Sequence, residues 1–75
     1  MKIIVLHDKY SSEPMVIRPN EISVIRKIKE NDIEFSEIII GQFSIEVKET
    51  MGIVMNKIKK AEGSAEIMKL PFYSK

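Results

Sequence analysis

The sequence contains no cysteine and no tryptophan, a single histidine, and only 7% aromatic residues among its 75 positions. Without cysteine there is neither a disulfide framework nor a thiolate metal site. With His7 as the sole imidazole, a histidine-based zinc site within one chain is not expected either. Lack of disulfides fits a reducing compartment, so the cytoplasm is the expected location. No apolar run approaches the ~18 residues of a membrane span. The opening MKIIVLHD holds an apolar run of only Ile3 to Leu6, too short for a signal peptide. Charge of one sign is missing too: 12 basic residues meet 11 acidic ones, for a net charge of +1. That balance gives no bulk attraction to nucleic acid or to a membrane surface.

Alanine and leucine are scarce as well. They supply four residues together, against 19 from isoleucine and valine. Branched side chains lose rotamer freedom in a helix and pack well on a pleated surface, so most of the chain is expected to be strand. The length allows one small domain, which buries roughly 60% of the surface its unfolded chain exposes.

The stretch from Phe43 to Lys60 organises the rest. Phe43, Ile45 and Val47 alternate with Ser44, Glu46 and Lys48, the period of a half-buried strand. The period then becomes helical, with Met51, Val54, Met55 and Ile58 at i, i+3, i+4 and i+7. Thr50 stands at the changeover, where an N-cap hydroxyl accepts a bond from an otherwise orphaned amide.

Taken in order, Ile3–Leu6 reads as a strand buried on both faces or crowded at a sheet centre, and Asp8–Pro14 as a polar loop. Met15–Arg18 is a second strand between Pro14 and Pro19, which fix its ends or place it at an edge. Ile22–Lys29 fits both periods, and its branched content and the Asn31-Asp32 turn favour strand. Ile33–Ile40 is the next strand. Glu37 falls on the face of Phe35 and Ile39 there, so a bulge near Ser36-Glu37 is expected to re-register the apolar positions. Gly41-Gln42 turns the chain into Phe43–Val47. Beyond the helix, Gly63-Ser64 breaks the pattern, and a tail rich in apolar residues follows.

The segment from Asn20 to about Lys60 resembles the small flagellar and swarming-motility proteins of the FlbD/SwrD type. The residues that carry the likeness are the opening strand Ile3–Leu6, Asn20 before a strand, the Gly41 turn, and Ile45-Glu46-Val47-Lys48-Glu49-Thr50 ahead of a helix. The helix here opens Met51-Gly52-Ile53, whereas that family usually opens it with acidic residues. The resemblance brings no catalytic residues with it and implies an accessory or interaction protein. The strand–strand–strand–helix order also looks like LytTR-type DNA-binding domains, over roughly half of the chain.

Candidate sites are few. His7-Asp8 has the composition of an oriented general base, but neighbours on a strand point to opposite faces, and catalysis is not expected there. Lys57, Lys59 and Lys60 read as cations favouring a helix C-terminus. Joined to Arg26, Lys27 and Lys29 they would form a phosphate-contacting patch, diluted by Glu30, Asp32, Glu34 and Glu37. Met51, Met55, Ile67, Met68, Leu70, Phe72 and Tyr73 make an adaptable apolar set, the expected interaction surface.

The expected molecule is thus a single α+β domain over 1–62 with an apolar tail over 63–75. It carries a mostly antiparallel sheet of four or five strands, one helix packed on one face, and closure into a barrel as a variant. Its second sheet face needs a cover, for which barrel closure, the tail or a second copy is available. The expected function is a small non-enzymatic cytoplasmic interaction or regulatory protein, self-associating as a homodimer, with no cofactor. A small DNA-binding module is the alternative.

Overall fold

The computed structural model describes residues 2–69, with side chains through Glu62. Five antiparallel strands precede one helix: β1 (Ile4–His7), β2 (Pro14–Ile17), β3 (Ile22–Glu30), β4 (Ile33–Ile40), β5 (Phe43–Val47) and α1 (Met51–Lys69). A single 3-10 turn, Pro19–Glu21, joins β2 to β3. The strands form two sheets, the hairpin β1-β2 and the meander β3-β4-β5. They meet at an isolated bridge between Asp8 and Val47. Contrary to the expected barrel variant, the sheets do not close: β2 and β3 both remain edges.

Turn chemistry sets the meander. Asn31 and Asp32 both adopt positive φ, 51° and 65°, the conformation a two-residue type I′ hairpin requires. Gly41 takes φ 60° at the second turn, while Gln42 does not share a positive φ. β4 runs in register against β5 without a break, so the bulge expected at Ser36-Glu37 is absent. It lies in β3 instead, between Ile22 and Val24, and leaves Ser23 as the extra residue. Glu37 needs no re-registering because it sits on the outer face, 3.3 Å from the Arg26 guanidinium and 2.5 Å from the Ser44 hydroxyl that donates to it.

The inner face holds the core. Ile4, Leu6 and Ile17 from the hairpin, Ile38 and Val47 from the meander, and Val54 from α1 are buried together. Each contributes about 1.5–3 kcal/mol relative to an exposed side chain. β1 is buried on one face only: Ile4 and Leu6 point inward while Ile3 and Val5 are exposed, correcting the two-faced reading. α1 turns Val54, Lys57, Ile58 and Ala61 toward the sheets. Its start is the expected one, with Thr50 Oγ1 accepting from the Ile53 amide at 3.4 Å. Its end is later than expected, since the helix continues through Gly63-Ser64 to Lys69. Lys57, Lys59 and Lys60 therefore lie in mid-helix, away from a C-terminus.

The outer face has a cover the sequence did not suggest. Phe35 points there and is only 2% exposed, because the loop between β1 and β2 folds over it. The Lys9 ammonium stands 3.7 Å from the centre of the Phe35 ring. It is also 3.4 Å from Glu30 and 3.8 Å from Glu46, so its charge is balanced by carboxylates on the strands beneath. The Tyr10 hydroxyl donates to Glu46 at 2.9 Å. Asp8 shapes this loop by accepting from the amides of Tyr10 (2.9 Å) and Ser11 (2.8 Å). The Ser11 amide first, then that of Tyr10, hold its carboxyl below the ordinary range.

Candidate functional site

The densest polar constellation lies where β1, β5 and α1 meet. β5 ends at Val47, and the next residues leave the sheet to begin the helix. The last ladder contacts between the two sheets are backbone bonds, from Lys9 N to Glu46 O at 3.0 Å and from Lys48 N to His7 O at 2.8 Å. Past Lys48 no strand remains beside β1, and its outward backbone groups need other partners. Side chains supply them. Glu49 Oε1 accepts the His7 amide at 2.9 Å, and Lys57 Nζ donates to the Val5 carbonyl at 2.6 Å. A carboxylate and an ammonium thus stand in for the strand that ended.

The same two side chains meet each other and the histidine. His7 Nδ1 is 2.6 Å from Glu49 Oε2, and Lys57 Nζ is 3.7 Å from that oxygen. Burial pushes the Glu49 carboxyl up, but bonds from the His7 ring and amide, the Glu49 amide and the Lys57 charge outweigh it. The carboxyl lies below its ordinary value. An ionised carboxylate only accepts, so Nδ1 carries the shared proton. The backbone of Glu49 is fixed from below: buried Ser36 donates its hydroxyl to the Glu49 carbonyl at 2.7 Å. A charge-assisted group of His7, Glu49 and Lys57 therefore locks the helix start onto β1.

The sequence pairs His7 with its neighbour; the structure pairs it with Glu49, and Asp8 turns away to cap the loop. A carboxylate-oriented imidazole is the arrangement of a general base. Among the described residues, however, Glu49 is the one side chain within hydrogen-bond reach of His7. The arrangement as it stands joins β1 to α1. No signal short of the fold locates it, since the partners are 42 residues apart.

The phosphate-contacting patch that the basic residues would form if joined is not assembled. Arg26 is on the outer face against Glu37, Lys57 is held by Val5 and Glu49, and Lys27 and Lys29 share the inner face of β3. Of the expected apolar set, Met51 and Met55 are exposed on the flank of α1. Met55 lines a shallow depression with Gly52, Asn56, Ile58, Lys59 and Glu62. Ile67, Met68, Leu70, Phe72 and Tyr73 lie outside the residues whose side chains are described. The sequence missed a further apolar group: Ile3, Val5 and Val16 on the outer face of the β1-β2 hairpin. Val5 and Val16 stand directly opposite each other in register.

Comparison with protein-family models, with curated proteins and with solved structures finds no match to this chain. No helix among the described residues is long and apolar enough to cross a membrane.

Proposed function

We propose that this chain is a small non-enzymatic interaction or regulatory protein of the cytoplasm that self-associates, in a motility-accessory role of the kind the FlbD/SwrD resemblance implies. One observation supports this reading above the rest. Among the described residues seven apolar side chains are buried, while ten large hydrophobic ones are exposed. Scattered exposed apolar residues are ordinary, but contiguous ones mark a contact surface. Ile3, Val5 and Val16 are contiguous: Val5 faces Val16 across the hairpin, and Ile3, just ahead of β1, lies two residues before Val5 on the same side. Val16 is 67% exposed, so the face is open in the single chain. A two-fold copy laid on this face matches valine to valine with the same patch on both sides.

Sedimentation velocity of the full chain across a concentration series tests it, with Val16→Glu run beside the wild type. The expected result is a wild-type mass rising toward a dimer and a variant that stays monomeric with unchanged melting. Two monomers at every concentration would remove self-association. A labelled DNA duplex in the same series covers the other class. Binding that falls steeply with salt would place the chain among DNA-binding modules instead.

A further inference from the structure

The free edge of β3 is a second surface with its own chemistry. The two-residue turn at Asn31-Asp32 makes Glu30 and Ile33 a hydrogen-bonded pair, and bonding alternates from there along the ladder. Ile28 bonds to Phe35 and Arg26 to Glu37, so Ile25, Lys27 and Lys29 turn their amides and carbonyls away from β4. The same alternation carried through β4 and β5 turns Glu46 and Lys48 outward. Those are the residues whose backbone groups bond Lys9 and His7, which verifies the phase. Nothing among the described residues pairs with the outer edge of β3, where three successive outward residues offer a template for another strand.

The side chains of those residues share the inner face. Ile25 is half-buried against the core, while Lys27 and Lys29 are exposed and form no ion pair among the described residues. Glu34 stands opposite Lys29 in register without closing one. A second copy fits this edge badly. An antiparallel two-fold pairing centred on Arg26 sets Arg26 against its copy. Centring on Lys27 sets Lys27 against its copy, and centring on Ile28 sets Lys27 against Lys29. Like charges directly opposite are destabilising. Centring nearer the N-terminal end runs the ladder into the bulge at Ser23. The charges that repel a copy attract a strand carrying carboxylates at the same spacing.

We infer that the β3 edge binds an extended acidic peptide segment by strand addition, with an acidic–x–acidic–x–apolar pattern running antiparallel to β3. The two acidic side chains face Lys29 and Lys27, and the apolar one faces Ile25. Backbone bonds to the outward amides and carbonyls supply the affinity, and alternate side chains supply the selectivity. This partner class deepens the interaction-protein reading but uses a surface apart from the hairpin face proposed for self-association.

The test uses the full chain and a fluorescent peptide probe reading Thr-Glu-Thr-Glu-Thr-Ile-Thr. Its controls are the same peptide with lysine for glutamate, and one N-methylated at the residues opposite Ile25, Lys27 and Lys29. The expected result is binding of the acidic probe alone, with slower exchange of the Ile25, Lys27 and Lys29 amides. The double variant Lys27→Glu, Lys29→Glu should lose about tenfold in affinity, on the order of two exposed charge pairs reversed. It should gain binding of the lysine probe while still unfolding cooperatively, its melt lowered only by the like charge that then faces Glu34. Val16→Glu should bind the acidic probe as the wild type does, whatever becomes of the dimer. No binding at millimolar probe, equal binding of the N-methylated probe, or protection of amides elsewhere would overturn the inference. So would a DNA duplex that displaces the probe and protects the same amides, since the lysines would then serve phosphate.

Discussion

Removing the Glu49 carboxylate perturbs the molecule at the point where helix and hairpin are fastened. In Glu49→Ala the His7 amide and ring lose their acceptor at a position where the Glu49 side chain is only 10% exposed. The part-buried His7 amide left without a partner costs about 1–3 kcal/mol, and the bond from the ring to a charged group about 1.5–3, toward the low end because the ring is 42% exposed and water reaches it. The Lys57 contact at 3.7 Å is partly exposed and adds at most about 0.5. Together the expected loss is roughly 3 kcal/mol. A 75-residue domain has on the order of 4–11 kcal/mol in all, so the variant sits near the edge of folding. Its Tm should fall by about 12–24 °C, at ~4–8 °C per kcal/mol for this size. Glu49→Gln keeps an acceptor for the His7 amide and should lose about 1 kcal/mol. Acidity separates the two effects. The folded carboxyl titrates below its ordinary value of 4.5, so its contribution is complete above that pH and is lost as pH falls through the folded value. Urea melts followed by circular dichroism at pH 7 and at pH 3–4 should show a wild-type acid loss that Glu49→Gln reduces. A loss under 0.5 kcal/mol in Glu49→Ala, or an acid loss equal in wild type and Glu49→Gln, would refute the fastening argument.

Thr50→Ala should cost about 1 kcal/mol in the same melts, while Thr50→Asp, which keeps an oxygen for the Ile53 amide, should be nearly neutral. Val47→Asp puts an unpaired charge at a fully buried position between sheet and helix, at a cost of several kcal/mol. Its thermal transition should lose cooperativity, and an unchanged melt would place Val47 outside the core. Gly41→Ala should cost about 1 kcal/mol through backbone strain alone, because φ is 60° and a Cβ there meets nothing within 4 Å. A neutral result would mean the turn adopts another conformation in the variant.

Local chemistry made much of the fold legible. Alternation in Phe43–Val47, the branched run of β4, the Asn31-Asp32 pair and the Thr50 cap all act over a few residues, and each stands where its own spacing put it. The errors share a cause. Alternation sets Glu37 on an apolar face that a one-faced strand would bury, whereas β4 has a core face and a loop-covered face, with Arg26 supplying the partner. Lys9 reads as an ordinary loop cation until its position over Phe35 is known. His7 and Glu49, the heart of the candidate site, belong to segments that only the bridge at Asp8 and Val47 brings side by side. Helical periodicity put Met51 and Met55 on the same stripe as Val54. The sheets reach only the side that carries Lys57, Ile58 and Ala61, which leaves both methionines on the flank.

The bridge between Asp8 and Val47 also orders events during synthesis. β1 and β2 leave the ribosome first, yet the strand that continues their sheet is the last of the five to be made. At ~5–20 residues per second, β1 waits roughly 2–8 seconds for Val47 to appear. The meander has no such delay, since each of its strands meets its neighbour across a two-residue turn. Its contacts are local and form fast. The nascent chain therefore passes through a stage in which a finished meander and helix start must capture an older hairpin. During that interval the core-facing side of the hairpin, Ile4, Leu6 and Ile17, is wet.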